Sequence, residues 1–134
     1  MSEIHLNPWA VLVAAAAAFL IGGVWYSPIL FSRVWAKAAG LGEEELKHGS
    51  VSRIFGLSFL LTLVMSANLA AFLSGPPNVL WGMAAGALAG IGWVATALGV
   101  LYLFERRPLA LFLVNAGYMA VTFVVMGGIL GAWK

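Results

Sequence analysis

The residues that could do chemistry in this chain are neutral and aromatic rather than charged. The sequence contains no Asp and no Cys, and all five of its acidic residues are Glu. These Glu residues and both His residues lie outside the long apolar stretches. Paired carboxylates, a Cys–His pair or a metal cluster therefore have no material within those stretches. We expect no catalytic residue, no metal site and no cofactor, and hence no enzyme.

Several hydroxyl, amide and ring groups nevertheless fall at similar depths, when counted at about 1.5 Å of rise per residue. Asn115, Tyr118 and Thr122 follow spacings of three and four, so they share one helix face. Two interpretations stay open: hydrogen bonds between helices that fix a bundle, and a pocket for an apolar or amphipathic ligand or a cation held by ring faces. The residues predicted to line such a pocket are Trp25, Tyr26, Trp93, Thr96, Asn115 and Tyr118.

Composition indicates which elements must position these groups. The chain has 134 residues, of which 63% are hydrophobic and 9% charged. A soluble domain has about half and a quarter, so this chain cannot cover a water-exposed surface with polar groups. The net charge of +2 is also too small for a nucleic-acid-binding surface. Composition therefore predicts an integral membrane protein whose first partner is the lipid bilayer.

Four uncharged apolar segments are long enough to cross a bilayer as helices. None alternates with a period of two, which disfavours a β-barrel. The length of the first segment, and the absence of Lys or Arg before it, favour a retained helix over a cleaved signal peptide. We predict one all-α transmembrane domain over residues 1–134, a four-transmembrane-helix bundle. Its helices are expected at about residues 9–31, 54–73, 79–104 and 109–133.

The loop over residues 32–53 is the one long polar connection. Residues 33–39 predict a short interfacial helix with Val34 and Trp35 toward lipid, ended by Gly40. Residues 43–47 are expected to form a second, solvated turn. The loop is either a docking segment for a cytosolic partner or a solvated connector.

The basic residues predict the orientation. Six of the seven Lys and Arg residues fall in the loops after the first and third segments, and only Lys134 falls on the other side. Cytoplasmic loops are the ones enriched in Lys and Arg. Both termini should therefore face outward, which is the periplasm if the host is a Gram-negative bacterium and the membrane its inner membrane.

Small residues recur at intervals of four, a spacing that lets helices approach closely in lipid. The third segment carries Gly82, Gly86 and Gly90, and a similar stripe in the first segment includes Ala14, Ala18 and Gly22. These faces can pack within one chain. Alternatively, the glycine face of the third segment can form the seam of a homodimer.

Two stretches carry a family resemblance: Trp-Tyr-Ser-Pro at residues 25–28 and Asn-Ala-Gly-Tyr at residues 115–118. With the segments around them, they resemble the bacterial membrane-protein family catalogued as domain of unknown function 1761. The likeness extends over nearly the whole chain. It departs from the family pattern at residues 98–101, where an Asn-containing segment is expected, and at Met119, where His is more usual. The resemblance implies a small four-helix membrane protein and no established activity.

These observations predict a non-enzymatic multi-pass membrane protein that binds a small apolar or amphipathic ligand, or a lipid, in a cytoplasm-facing polar-aromatic cluster. One alternative is an oligomeric transporter or channel for a small solute. A further alternative is an accessory subunit of a larger membrane complex. A homo-oligomer or such a complex is the expected protein partner, and nucleic acid is not.

Overall fold

The computed structural model describes residues 6–42, 44, 51–73 and 75–134, which form helices and turns with no strand among them. Four helical segments are long and apolar enough to cross a membrane, as predicted. The elements in chain order are α1 (Pro8–Trp25), α2 (Ser32–Ala39), α3 (Val51–Phe72), α4 (Val79–Ala89), a π-helical turn (Gly90–Ala95), α5 (Thr96–Glu105) and α6 (Leu109–Ala132).

The first helix is shorter than the predicted span to residue 31, because α1 ends at Trp25. Pro28 has no N–H for a helical hydrogen bond. The chain instead turns over residues 26–31, where the Ser27 hydroxyl donates to the Val24 carbonyl oxygen (2.7 Å). The Phe31 N–H closes the turn by donating to the Trp25 carbonyl oxygen (3.1 Å). This turn places Tyr26 directly at the end of the helix.

The short helix predicted in the first loop is present as α2, and Gly40 ends it in the left-handed region with φ 75°. The predicted lipid-facing position of Trp35 is wrong. Its ring packs edge-on against Tyr26, with centroids 5.9 Å apart, because α2 folds back against α6. Of the turn predicted at residues 43–47, all but Glu44 lies outside the described residues.

The last helix, α6, is the centre of the bundle and packs against α1, α3 and the third span. Its closest neighbour is α4, where glycines remove the side chains that would hold two backbones apart. A Cβ on Gly82 would overlap the Gly127 carbonyl oxygen, and one on Gly86 would lie 2.7 Å from the Phe123 carbonyl carbon. The glycine face of the third span is therefore buried within the chain, and it offers no seam to a second copy.

The small residues of α1 are also used inside the bundle. Ala14 and Ala18 are fully buried in a core that includes Leu69 and Met126. A Cβ on Gly22 would lie 3.1 Å from the Tyr118 hydroxyl oxygen, so this glycine makes room for the tyrosine. Large apolar side chains such as Leu20, Leu80 and Leu103 are mostly exposed on the outside, as expected for a surface that faces lipid tails.

The π-helical turn changes which residues of the third span face α6. The buried face runs from Gly82 and Gly86 through Gly90 to Ala95, with a spacing of five at the turn. In a regular α-helix the third step, from Gly90, would also be about four residues. The extra residue leaves Ala97 exposed and turns Tyr102 inward.

Candidate functional site

A cavity of about 860 Å³ lies between α1, α3, α5 and α6. Its walls are mainly apolar, with Phe19, Phe55, Met65 and Met119 among them, and Trp35 of α2 lies at its edge. None of the described residues that line it carries a charge. Its polar lining residues are Tyr26, Ser58, Thr62, Tyr102, Asn115 and Tyr118.

Asn115 links two tyrosines from different helices across this cavity. The Tyr26 hydroxyl donates to Asn115 Oδ1 (2.6 Å), and Asn115 Nδ2 donates to the Tyr102 hydroxyl oxygen (2.9 Å). These distances match the usual lengths of O–H···O and N–H···O bonds respectively. One chain of neutral hydrogen bonds therefore joins α5, α6 and the C-terminal end of α1.

The ring of Tyr118 completes this polar-aromatic cluster. Its hydroxyl donates to the Ala18 carbonyl oxygen (3.2 Å), and its ring meets that of Tyr26 at 66° with centroids 5.3 Å apart. Edge-to-face contacts of this kind favour a fixed arrangement of rings. The Tyr26 ring also contacts the Trp35 ring edge-to-face, so the three rings form one continuous wall of the cavity.

The opposite wall is α3. The Thr62 hydroxyl donates to the Ser58 carbonyl oxygen (2.7 Å), whereas the Ser58 hydroxyl has no partner among the described residues. The main contacts of α3 are with α1, and those of α5 are with the π-helical turn. Since α3 and α5 do not pack tightly against each other, the cavity is open to the side of the bundle between these two helices.

The family described as protein of unknown function, DUF1761, matches residues 9–131. The chain belongs to this family. No curated protein and no solved structure matches the chain. Because the DUF1761 description names no activity, function must be argued from the cavity itself.

Three of the six residues predicted to line a pocket in this DUF1761 protein do line the cavity: Tyr26, Asn115 and Tyr118. Trp25 does not, although it is close to them in sequence. Its Nε1 donates to the Val114 carbonyl oxygen (2.9 Å), and its ring packs on Phe31. Trp25 therefore fastens the end of α1 to α6.

Trp93 and Thr96, also predicted to line a pocket, lie outside the lining of this cavity. Trp93 is 67% exposed and packs only against Phe72 among the described rings. The Thr96 hydroxyl donates to the carbonyl oxygens of Gly92 (2.8 Å) and Trp93 (3.1 Å) beside the π-helical turn. Counting residues gives depth in the membrane, but the turn determines which face each residue occupies.

The sequence prediction missed four cavity residues whose side chains carry a hydrogen-bonding group: Trp35, Ser58, Thr62 and Tyr102. Ser58 and Thr62 could have been found as a pair on one helix face, because they are four residues apart. Tyr102 could not, because its inward direction depends on the extra residue in the π-helical turn. Trp35 could not, because its place depends on α2 folding back against α6.

Proposed function

We propose that this protein binds an apolar or amphipathic molecule within the membrane, and that it does so without catalysing a reaction. The observation that carries this proposal is the uncharged cavity of about 860 Å³ between α1, α3, α5 and α6. Small-molecule sites are clefts of roughly 300–1,000 Å³, mostly apolar, with a few fixed polar groups. The Tyr26–Asn115–Tyr102 chain of hydrogen bonds supplies those groups.

The bilayer is the source of ligand that this arrangement favours. A molecule dissolved among lipid tails can approach the cavity from the side between α3 and α5 without crossing water. The α3 wall is apolar toward lipid as well, since Leu57, Leu60 and Leu61 are exposed there. A lipid or a lipid-like metabolite therefore fits the site better than a soluble solute does.

The placement of Lys and Arg supports a cytoplasmic position for the Tyr26 and Tyr102 end of the cavity. Arg33 and Lys37 follow Tyr26, and Arg106 and Arg107 follow Tyr102. The rule that cytoplasmic loops are rich in basic residues then directs both termini outward. In a bacterium the membrane would be the inner membrane.

The two alternative functions, an oligomeric transporter or channel and an accessory subunit, stay predictions with less support. A solute path along the polar groups of the spans would need Thr96 beside Asn115 and Tyr118, but Thr96 does not line the cavity. An accessory subunit would need an exposed small-residue face for its partner, but α6 covers Gly82 and Gly86.

Native mass spectrometry of protein extracted in mild detergent tests the proposed function. Ser58→Phe adds a ring inside the cavity, and Leu57→Phe adds the same ring on the neighbouring, lipid-facing position of α3 as the control. We expect a retained small-molecule adduct on the wild type and on Leu57→Phe, and its loss from Ser58→Phe. An adduct retained equally by all three proteins would contradict binding in the cavity.

A further inference from the structure

We infer that the cavity selects an uncharged amphipath whose polar end accepts a hydrogen bond, such as an ester or ketone carbonyl, and that the Tyr102 hydroxyl is the group that donates it. This inference rests on the proposed function, because it specifies the chemistry of the ligand in the same cavity. It follows from the direction of each hydrogen bond in the Tyr26–Asn115–Tyr102 chain.

The Tyr102 hydroxyl has a proton that it can donate to a ligand. A phenol has one proton to donate and two lone pairs that accept. The Tyr102 oxygen accepts from Asn115 Nδ2 at 2.9 Å, and its proton has no acceptor among the described residues. Tyr102 is half-buried and lines the cavity. A ligand oxygen is therefore the acceptor that would complete its hydrogen bonding.

The other tyrosines of the cavity have no proton left to give. The Tyr26 hydroxyl donates to Asn115 Oδ1, and the Tyr118 hydroxyl donates to the Ala18 carbonyl oxygen. Across the cavity, the Ser58 hydroxyl is a second donor without a described partner. The two hydroxyl groups with an unused proton therefore lie on α5 (Tyr102) and α3 (Ser58), the helices on either side of the opening toward lipid.

The absence of charge from the described lining of the cavity disfavours a ligand with an ionic head group. Burying an ion in an apolar site is costly unless an opposite charge pairs with it. The described lining of the cavity contains no Lys, Arg, Asp, Glu or His. Arg106 and Arg107 are exposed beyond the end of α5, and Arg107 is paired with Glu105 at 3.1 Å. A carboxylate or phosphate head would find no counter-charge among the described residues of the lining.

A cationic head meets the same difficulty. It needs a carboxylate or an open aromatic face, and the described lining has no carboxylate. The ring of Tyr26 is already in edge-to-face contact with both Tyr118 and Trp35. An uncharged head with a carbonyl oxygen pays no such cost and uses the free proton.

The apolar part of the cavity fits the chain of such a molecule. The α3 wall runs from Ile54 to Met65, which is about 16 Å at the rise of an α-helix. Phe19 and Met119 line the same volume. An acyl or prenyl chain can lie along these residues while its carbonyl group meets Tyr102.

Binding of four brominated probes with the same chain tests the inference. The probes are a methyl ester, the matching alkane, the free carboxylate at pH 8 and the trimethylammonium salt. Bromine quenches tryptophan fluorescence at short range, and Trp35 at the cavity edge reports occupancy. A Trp35→Phe protein gives the quenching from the other tryptophans, which is subtracted for each probe.

Tyr102→Phe removes the free proton and keeps the ring. Tyr118→Phe is the matched control, because the proton it removes is already used within the protein. We expect the ester to bind the wild type most tightly of the four probes. Tyr102→Phe should weaken ester binding by roughly three- to tenfold, the effect of one lost hydrogen bond. It should leave alkane binding unchanged, and Tyr118→Phe should preserve the preference for the ester over the alkane.

Each other result overturns a defined part of the account. Equal binding of ester and alkane, with no effect of Tyr102→Phe, would refute the carbonyl inference and leave the proposed function standing. Tighter binding of the carboxylate or the ammonium probe would also refute the inference alone. Failure of all four probes to quench Trp35 would refute both the inference and the proposed function.

Discussion

At the scale of single residues, Asn115 is the polar side chain on which the site depends. Its amide accepts from Tyr26 and donates to Tyr102, so it connects the end of α1 with α5 through α6. Hydrogen bonds between helices in lipid contribute modestly, at about 0.6 kcal/mol each. Their main effect here is to hold two phenol rings at defined positions on the cavity wall.

Asn115→Leu should lower the free energy of unfolding by about 1 kcal/mol, because it removes two such bonds. It should also weaken ligand binding, since Tyr102 loses the partner that orients it. Asn68→Leu is the control: Asn68 is exposed toward lipid and its amide donates only to the Val64 carbonyl oxygen of its own helix. Unfolding in mixed micelles with increasing dodecyl sulfate measures the free energy of unfolding of both variants. Equal stability of the two variants would contradict a structural role for the Asn115 bridge.

Part of the site follows from spacing, and part of it does not. Asn115 and Tyr118 were predictable because a separation of three places them on one face of a helix whose bounds the sequence also predicted. Tyr26 was predictable from its depth. Trp93 and Thr96 were expected at a similar depth, and they lie on a face of the third span that does not line the cavity, because residues 90–95 form a π-helical turn. Whether a helix takes up one extra residue depends on how its glycines pack against α6, and that is a tertiary property.

At the scale of elements, the contact between α4 and α6 fixes the bundle. Gly82 and Gly127 face each other so closely that each would place a Cβ on the other's carbonyl oxygen. The sequence predicted the glycine face from its spacing, and left open whether it would pack within the chain or between chains. The matching glycines of α6, Gly127 and Gly131, decide this in favour of α4, since they remove the side chains on both sides of one interface.

Gly86→Ala should destabilise the protein by about 2 kcal/mol, at the level of an overpacked core. Its new Cβ meets the backbone of Phe123, which cannot turn aside as a flexible side chain could. Gly56→Ala is the control, because a Cβ there meets no atom within 4 Å and alanine favours a helix. The same unfolding titration reports both. A Gly86→Ala protein as stable as Gly56→Ala would contradict the described packing.

The π-helical turn makes a second prediction at this scale. Deleting Gly92, which is exposed and open to space, removes the extra residue. The third span should then be regular α-helix throughout, with α5 in its present orientation and Tyr102 still directed into the cavity. Inserting one alanine after Ala97 should instead rotate Tyr102 by about 100°. Quenching by the brominated ester should persist after the deletion and disappear after the insertion. Loss of quenching after the deletion, or its persistence after the insertion, would contradict a turn that takes up one extra residue.

At the scale of the whole molecule, the third span packs closely against α6 at its α4 end and borders a cavity at its α5 end. Near α4 the helices meet through glycine, and near α5 they leave a cavity lined by neutral groups. The four membrane-spanning helices and the short helix α2 were predictable from composition and length. The position of the cavity was not predictable, because it depends on the gap between α3 and α5, which is set by how the helices pack.

The orientation of the molecule can be measured directly, because the chain contains no native Cys. A single cysteine at Lys134→Cys should react with a membrane-impermeant maleimide added to intact cells or spheroplasts. One at Lys37→Cys, on the exposed side of α2, should react only after the membrane is permeabilised. The basic residues near α2 and α5 are the reason for this expectation. Labelling of Lys37→Cys alone in intact cells would show the opposite orientation.

The central claim is that an uncharged amphipath occupies the cavity with its chain against the apolar wall. The most direct test is anomalous diffraction from crystals grown with the methyl ester brominated near the end of its chain. We expect a bromine peak inside the bundle beside Phe19, Met65 and Met119, with the ester carbonyl within hydrogen-bond distance of the Tyr102 hydroxyl. A bromine peak found only on the lipid-facing surface, with the cavity free of ester, would contradict it.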